Sequence, residues 1–219
     1  MSRRRRRYLL DVLPSARTRL VFALAFAGGV LALPGCGVSA ESGGKAYRGA
    51  MLVHAIPRPS FTLTDTRGQP FDFRAKTDST VTLLFFGYLN CPDVCPVHMT
   101  NIASVMRTMP YEVTRNIRVV FVTTDPARDT PAKLETWLAG FDPSFIGLRG
   151  TPEQVTAIEK SVGVAPAVAG ATDSSGDYEV GHAAQVIAFT PDDSAHVVYP
   201  FGTRQADWVH DLPLLAQVK

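Results

Sequence analysis

The apolar and polar positions of this chain fall into short runs with distinct periods. Phe61-Thr62-Leu63 and Phe71-Asp72-Phe73 alternate on either side of Asp65-Thr66-Arg67-Gly68-Gln69-Pro70, which predicts an edge hairpin opening a folded domain. Val81 to Phe86 is apolar at almost every position, as expected of a central strand covered on both faces. A helix is predicted to begin near Pro96, because proline is tolerated in a first turn, with Ile102, Val105, Met106 and Met109 as its buried stripe. Ile117 to Thr123 is β-branched and aromatic, a second core strand. Thr130-Pro131 is an N-cap followed by proline at the first helical position, with Leu134, Trp137 and Leu138 facing inward and Gly140 ending a helix over 131–139. Thr151-Pro152-Glu153-Gln154 adds the glutamine of a capping box, and Val155, Ile158 and Val162 carry that helix on. The two helices are expected in series.

Val168 to Tyr178 reads as an exposed loop. Val186 to Phe189 and His196 to Tyr199 then form a strand pair across Pro191-Asp192-Asp193-Ser194, and a last helix carries Trp208, Leu212 and Leu215. Strands separated by helices early, and joined by a short turn late, make a mixed α/β sheet with helices on both faces and an N-terminal hairpin extension. With a cysteine pair between the first core strand and its helix, this order resembles a thioredoxin-like fold. Gly37 to Arg58 has no sustained apolar period, so residues 36–57 are expected to be a flexible tether and 58–219 the domain.

Charge changes the picture at the N-terminus. Arg3 to Arg7, Arg17 and Arg19 precede an uncharged run from Leu20 to Leu33, a signal-peptide layout whose apolar part is shorter than the roughly 20 residues of a membrane span. Leu33-Pro34-Gly35-Cys36 resembles a bacterial lipobox, which makes 1–35 a leader and Cys36 a lipidated first residue. The expected location is the extracytoplasmic face of the cell membrane, held by lipid. Removing 35 of the 219 residues leaves 184, enough for one domain with a sizeable core. Seven of the 22 basic and one of the 20 acidic residues leave with it, so the remainder carries 15 basic against 19 acidic residues, a net of −4. No basic patch argues for nucleic acid.

Cys91 and Cys95 are then the remaining thiols. Residues i and i+4 share a face wherever the chain turns helically, so both can reach one another or one soft metal ion. A disulfide closing so short a loop adds little stability, and chemistry is the better reason for the pair. A helix N-terminus there would favour thiolate over thiol. Two thiolates suit Cu(I), and an added imidazole would also admit Cu(II). His54, His196 and His210 fall in the tether, at a strand start and beside Asp211. His98 lies three residues past Cys95, beside Met99, and His182 lies just before the strand at 184–189. In a thioredoxin-like arrangement that last segment faces the cysteines, and thiol oxidoreductases carry a cis-proline there; this chain has none. Asp93 is read as a group that orients the loop or touches a metal indirectly, or equally as a cap for the following helix. Asp125, Arg128 and Asp129 read as turn and capping chemistry with Arg128 bridging both acids, and Phe85 and Tyr88 as core beside the site.

FFGYLNCPDVCPVHM, Phe85 to Met99, resembles the signature of the Sco/SenC family of copper-binding assembly factors. The likeness continues through VTTDPARDTPAKLETWLAGFDPSFIGLRGTPEQV, Val122 to Val155, and covers 58–205. The resemblance implies a membrane-tethered thioredoxin-like domain that binds copper through Cys91, Cys95 and His182. Its partners would be a copper-receiving subunit of a haem–copper respiratory oxidase or another copper chaperone. Where the family commonly has aspartate, histidine, serine, this chain has Gly181-His182-Ala183. The expected role is thus a metallochaperone rather than an enzyme. A thiol–disulfide oxidoreductase using Cys91 and Cys95 as its redox-active pair is the alternative, and a peroxidase of the peroxiredoxin kind a third.

Overall fold

The run Val81–Gly87 (β4) is buried at all seven positions and lies inside an eight-stranded sheet. It pairs in parallel with Ile117–Thr123 (β5) and antiparallel with Val186–Phe189 (β9). Beyond β5 come Ile146–Arg149 (β6), Thr62–Asp65 (β2) and Pro70–Asp72 (β3); beyond β9 come Ser194–Tyr199 (β10) and Ala50–Pro57 (β1). The computed structural model describes residues 47–219. The leader expected over 1–35 and the lipidation site at Cys36 lie outside the described residues.

Alternation along the strands separates two cores. Leu83, Phe85, Val119 and Phe121 face the helices Val94–Thr108 (α2), Pro131–Ala139 (α4) and Gln205–Leu215 (α6). Leu84, Phe86, Val120 and Val122 face Phe73–Lys76 (α1) and Pro152–Ser161 (α5). The capping box of α5 is formed by Thr151 and Gln154, and Thr130 caps α4. Fixing these helix starts fixes where the intervening loops cross the sheet edge.

Several expectations are corrected. The helices α4 and α5 are not in series, because β6 lies between them and pairs with both β5 and β2. Its Gly147 is required by space: a Cβ there would lie 2.8 Å from Leu134 Cγ, so α4 leans directly on the strand. The segment 36–57 is not tether throughout, because β1 occupies 50–57 and pairs antiparallel with β10. Only Leu52 and Ile56 of β1 are even half-buried, so the strand shows no strong apolar period and takes its order from a partner far along the chain. The buried Asp211 carboxylate secures its start, accepting the N–H groups of Arg48 and Gly49 at 2.8 and 2.9 Å and the Tyr199 hydroxyl at 3.0 Å.

The loop expected over 168–178 is the arm and tip of a small hairpin in which Val168–Ala169 (β7) pairs with Val180–Gly181 (β8). Arg128 ties it to the body, bonding both Asp125 and Asp177 and lying 3.6 Å over the Tyr178 ring.

Candidate metal centre

The site sits where β4 ends. The chain turns at Tyr88, whose carbonyl accepts the Cys91 N–H at 3.2 Å, and α2 starts at Val94, two residues before the proline expected to begin it. Cys95 therefore lies in the first helical turn and is fully buried, while Cys91 on the preceding loop is 8% exposed. Asp93 occupies the N-cap position but its side chain makes no capping bond. With no side-chain cap, the Cys95 N–H is free to face the Cys91 sulfur.

The half-buried His182 comes from the unpaired stretch between β8 and β9. Its Nε2 is 3.6 Å from Cys91 Sγ and 3.6 Å from Cys95 Sγ, and the three donor atoms all lie within 4.8 Å of one another. Nδ1 is 3.0 Å from the Ala183 carbonyl; Nδ1–H donates there, which leaves the Nε2 lone pair facing the thiols. Phe85 and Tyr88 stand edge-on to the ring at 5.8 and 5.6 Å. Thus the imidazole is oriented by its own backbone neighbour and by two aromatic walls, and the residues beside it, Gly181 and Ala183, bring no acid or hydroxyl to it.

The two thiols differ in charge. A hydrogen bond from the Cys95 thiol, aided by the Cys95 N–H, outweighs burial and brings the Cys91 thiol down to about 4. Burial first, and then the neighbouring Cys91 sulfur, pushes the Cys95 thiol up. At neutral pH the pair holds one proton, on Cys95.

This donor set fits a soft cation. Bonds of about 2.1 Å to nitrogen and about 2.3 Å to sulfur, meeting at about 110°, span about 3.6 Å, the Nε2–Sγ separation found on both sides. Two sulfurs and one imidazole favour copper or zinc over the hard cations. Among the described residues no other group of three histidine, cysteine or acidic side chains is so placed.

The other weighed residues are not brought to the site as donors. His98 is buried on α2 with Nε2 bonded to the Ala184 carbonyl at 2.9 Å, and burial lowers its pKa. His54 is exposed on β1. His196 and His210 pair with Asp192 and Asp211 at 2.7 and 2.6 Å. Arg128 bridges Asp125 to Asp177, not to Asp129 as expected; Asp129 instead accepts the Leu89 N–H and the Thr123 hydroxyl. It thereby holds the start of the cysteine loop against β5.

Comparison with known proteins completes the picture. The SCO1/SenC family model matches residues 52–217. The chain belongs to the SCO1/SenC family. A putative copper-binding protein of Stutzerimonas stutzeri is 38% identical over 161 residues, which cover 67% of this chain and 74% of that protein. Apo Sco1 from Thermus thermophilus has a TM-score of 0.69 at 29% identity, covering 78% of this chain and 97% of its own. Bradyrhizobium japonicum ScoI with copper bound has a TM-score of 0.63 at 29% identity, covering 73% and 99%. The fold is thus the thioredoxin-like one implied by the element order, and the SCO1/SenC match begins inside β1, in keeping with a domain that starts before residue 58.

Two contributors to the SCO1/SenC site were missed in the sequence. Gly87, at the end of β4, leaves the space that Cys95 Sγ fills; a glycine closing an apolar run was the available signal. Tyr178 stacks on Arg128 and donates to Asp125 at 2.9 Å, and nothing local in its polar loop announced that.

Proposed function

We propose that this protein carries copper on Cys91, Cys95 and His182 outside the cytoplasm and supplies it for assembly of the copper centre of a respiratory haem–copper oxidase. The observation that carries the proposal is the triangle of two sulfurs and one Nε2, all within 4.8 Å, with the imidazole already held in the donor tautomer. The copper described for the Stutzerimonas and Bradyrhizobium relatives supports the choice of metal. Family membership supports the oxidase, or a second copper chaperone, as the receiver. The arginine-rich leader and Leu33-Pro34-Gly35-Cys36 support a lipid anchor at Cys36 on the extracytoplasmic face of the membrane.

A chelator-competition titration of the full chain with Cu(I) tests this. One ion per chain is expected, with affinity falling in Cys91→Ser, Cys95→Ser and His182→Ala; equal affinity in all four proteins would sink the ligand set. The acidic Cys91 thiol beside a buried Cys95 thiol favours one competing role, thiol–disulfide exchange with exported proteins. Turnover of a disulfide substrate at thioredoxin-like rates, together with no retained copper, would select it instead.

A further inference from the structure

The stretch 182–185, which carries His182, belongs to no strand, yet imidazole N–H groups take two of its carbonyls. His182 Nδ1 bonds the Ala183 oxygen at 3.0 Å, and His98 Nε2 bonds the Ala184 oxygen at 2.9 Å. His98 is 2% exposed and sits on α2 three residues after Cys95. Its ring lies between Phe85 at 5.1 Å and Phe201 at 5.9 Å, and Phe85 is the same ring that stands edge-on to His182. One helix therefore carries a sulfur of the site and, one turn later, the hydrogen bond that grips the backbone bearing the nitrogen.

Resting on the copper reading above, we propose that His98 is a positioning residue for the metal centre. Its Nε2–H bond holds the Ala184 carbonyl, and with it the adjoining Ala183–Ala184 peptide. The Ala183 oxygen then stays within reach of His182 Nδ1–H, and His182 Nε2 stays directed at both sulfurs. Without that bond the peptide is free to rotate, the Nδ1–H loses its fixed acceptor, and the ring has no reason to keep one tautomer. His98 does this without touching the metal. Outer partners that orient a ligating histidine are worth roughly 10–100-fold in metal affinity, a size that can be measured.

The test uses the full chain with His98→Phe, which keeps an aromatic ring between Phe85 and Phe201 but has no donor, and His98→Gln, whose amide donates at a similar reach. Cu(I) affinity is read by chelator competition, and the His182 tautomer by long-range proton–nitrogen NMR of the metal-free protein. The Phe variant is expected to bind copper about 10–100-fold more weakly, with the His182 nitrogens moving from the Nδ1–H pattern towards an average of the two tautomers. The Gln variant should bind within about threefold of wild type and keep the Nδ1–H pattern, a rescue that restored ring volume would not produce. Equal losses in both variants, or no change in either, would overturn the proposal. If the Phe variant does not fold, His98→Asn, too short to reach the Ala184 oxygen, carries the same expectation. His182→Ala measured alongside separates the two layers. A loss there with none in His98→Phe removes only the role of His98, whereas no loss there removes the ligand set while the nitrogen spectrum still decides whether His98 orients the ring.

Discussion

Gly87 and Cys95 are in contact with no room between them for a methyl group: a Cβ on Gly87 would lie 2.5 Å from Cys95 Sγ. The end of the central strand is therefore the floor on which the buried sulfur rests. In Gly87→Ala either the first turn of α2 lifts from the sheet or the Cys95 side chain rotates away from His182. Overpacking of this kind costs about 1–3 kcal/mol. Urea unfolding should show that loss, and chelator competition should show weaker copper binding. An alanine variant as stable and as tight as wild type would mean that the sulfur does not need this seat.

The shared proton of the cysteine pair has a pH signature. Cys91, held down to about 4, is an acid whose charged form dominates above that value, so its alkylation by iodoacetamide should rise through about pH 4 and change little from there to neutrality. Cys95 keeps its proton and should stay unmodified. Mass spectrometry of the alkylated peptide across a pH series reads both. Because ligands must be deprotonated to bind metal, uptake of one ion at neutral pH should release about one proton, from Cys95. Release of two in an unbuffered titration would show that Cys91 starts as a thiol.

Asp211 should matter for the fold and not for the site. Its carboxylate accepts from Arg48, Gly49, Tyr199 and His210, and each buried group left without a partner costs about 1–3 kcal/mol. Asp211→Ala is expected to lower stability by about 3 kcal/mol or more on that basis and to speed amide exchange over 48–57. Copper stoichiometry should remain one per chain. Hydrogen exchange followed by mass spectrometry, with a copper titration of the same sample, distinguishes this from a general loss of structure.

The parts of the fold that were legible in the sequence are those whose causes are local. Thr130-Pro131 and Thr151 to Gln154 satisfy helix-end N–H groups within a few residues, and β4 declares itself by the almost unbroken apolar run from Val81 to Phe86. The missed strands have distant causes. Gly147 makes β6 look like a break, and it is a strand because Val120 to Val122 on one side and Thr64 and Asp65 on the other supply its hydrogen bonds. β1 is a strand because Val197 and Val198 lie opposite Met51 and Ala50. At the site, the cysteine pair was visible in its spacing, and His182 came from family resemblance and the expected entry to a late strand. His98 looked like a possible ligand because it is near Cys95 in sequence. Its actual partner, the Ala184 carbonyl, lies 86 residues away.

X-ray absorption at the copper edge of the loaded full chain tests the central claim most directly. Two sulfur neighbours and one imidazole nitrogen are expected, with the nitrogen lost in His182→Ala and the sulfurs retained. A shell of sulfur alone, or of nitrogen and oxygen alone, in the wild-type protein would contradict a centre built from Cys91, Cys95 and His182.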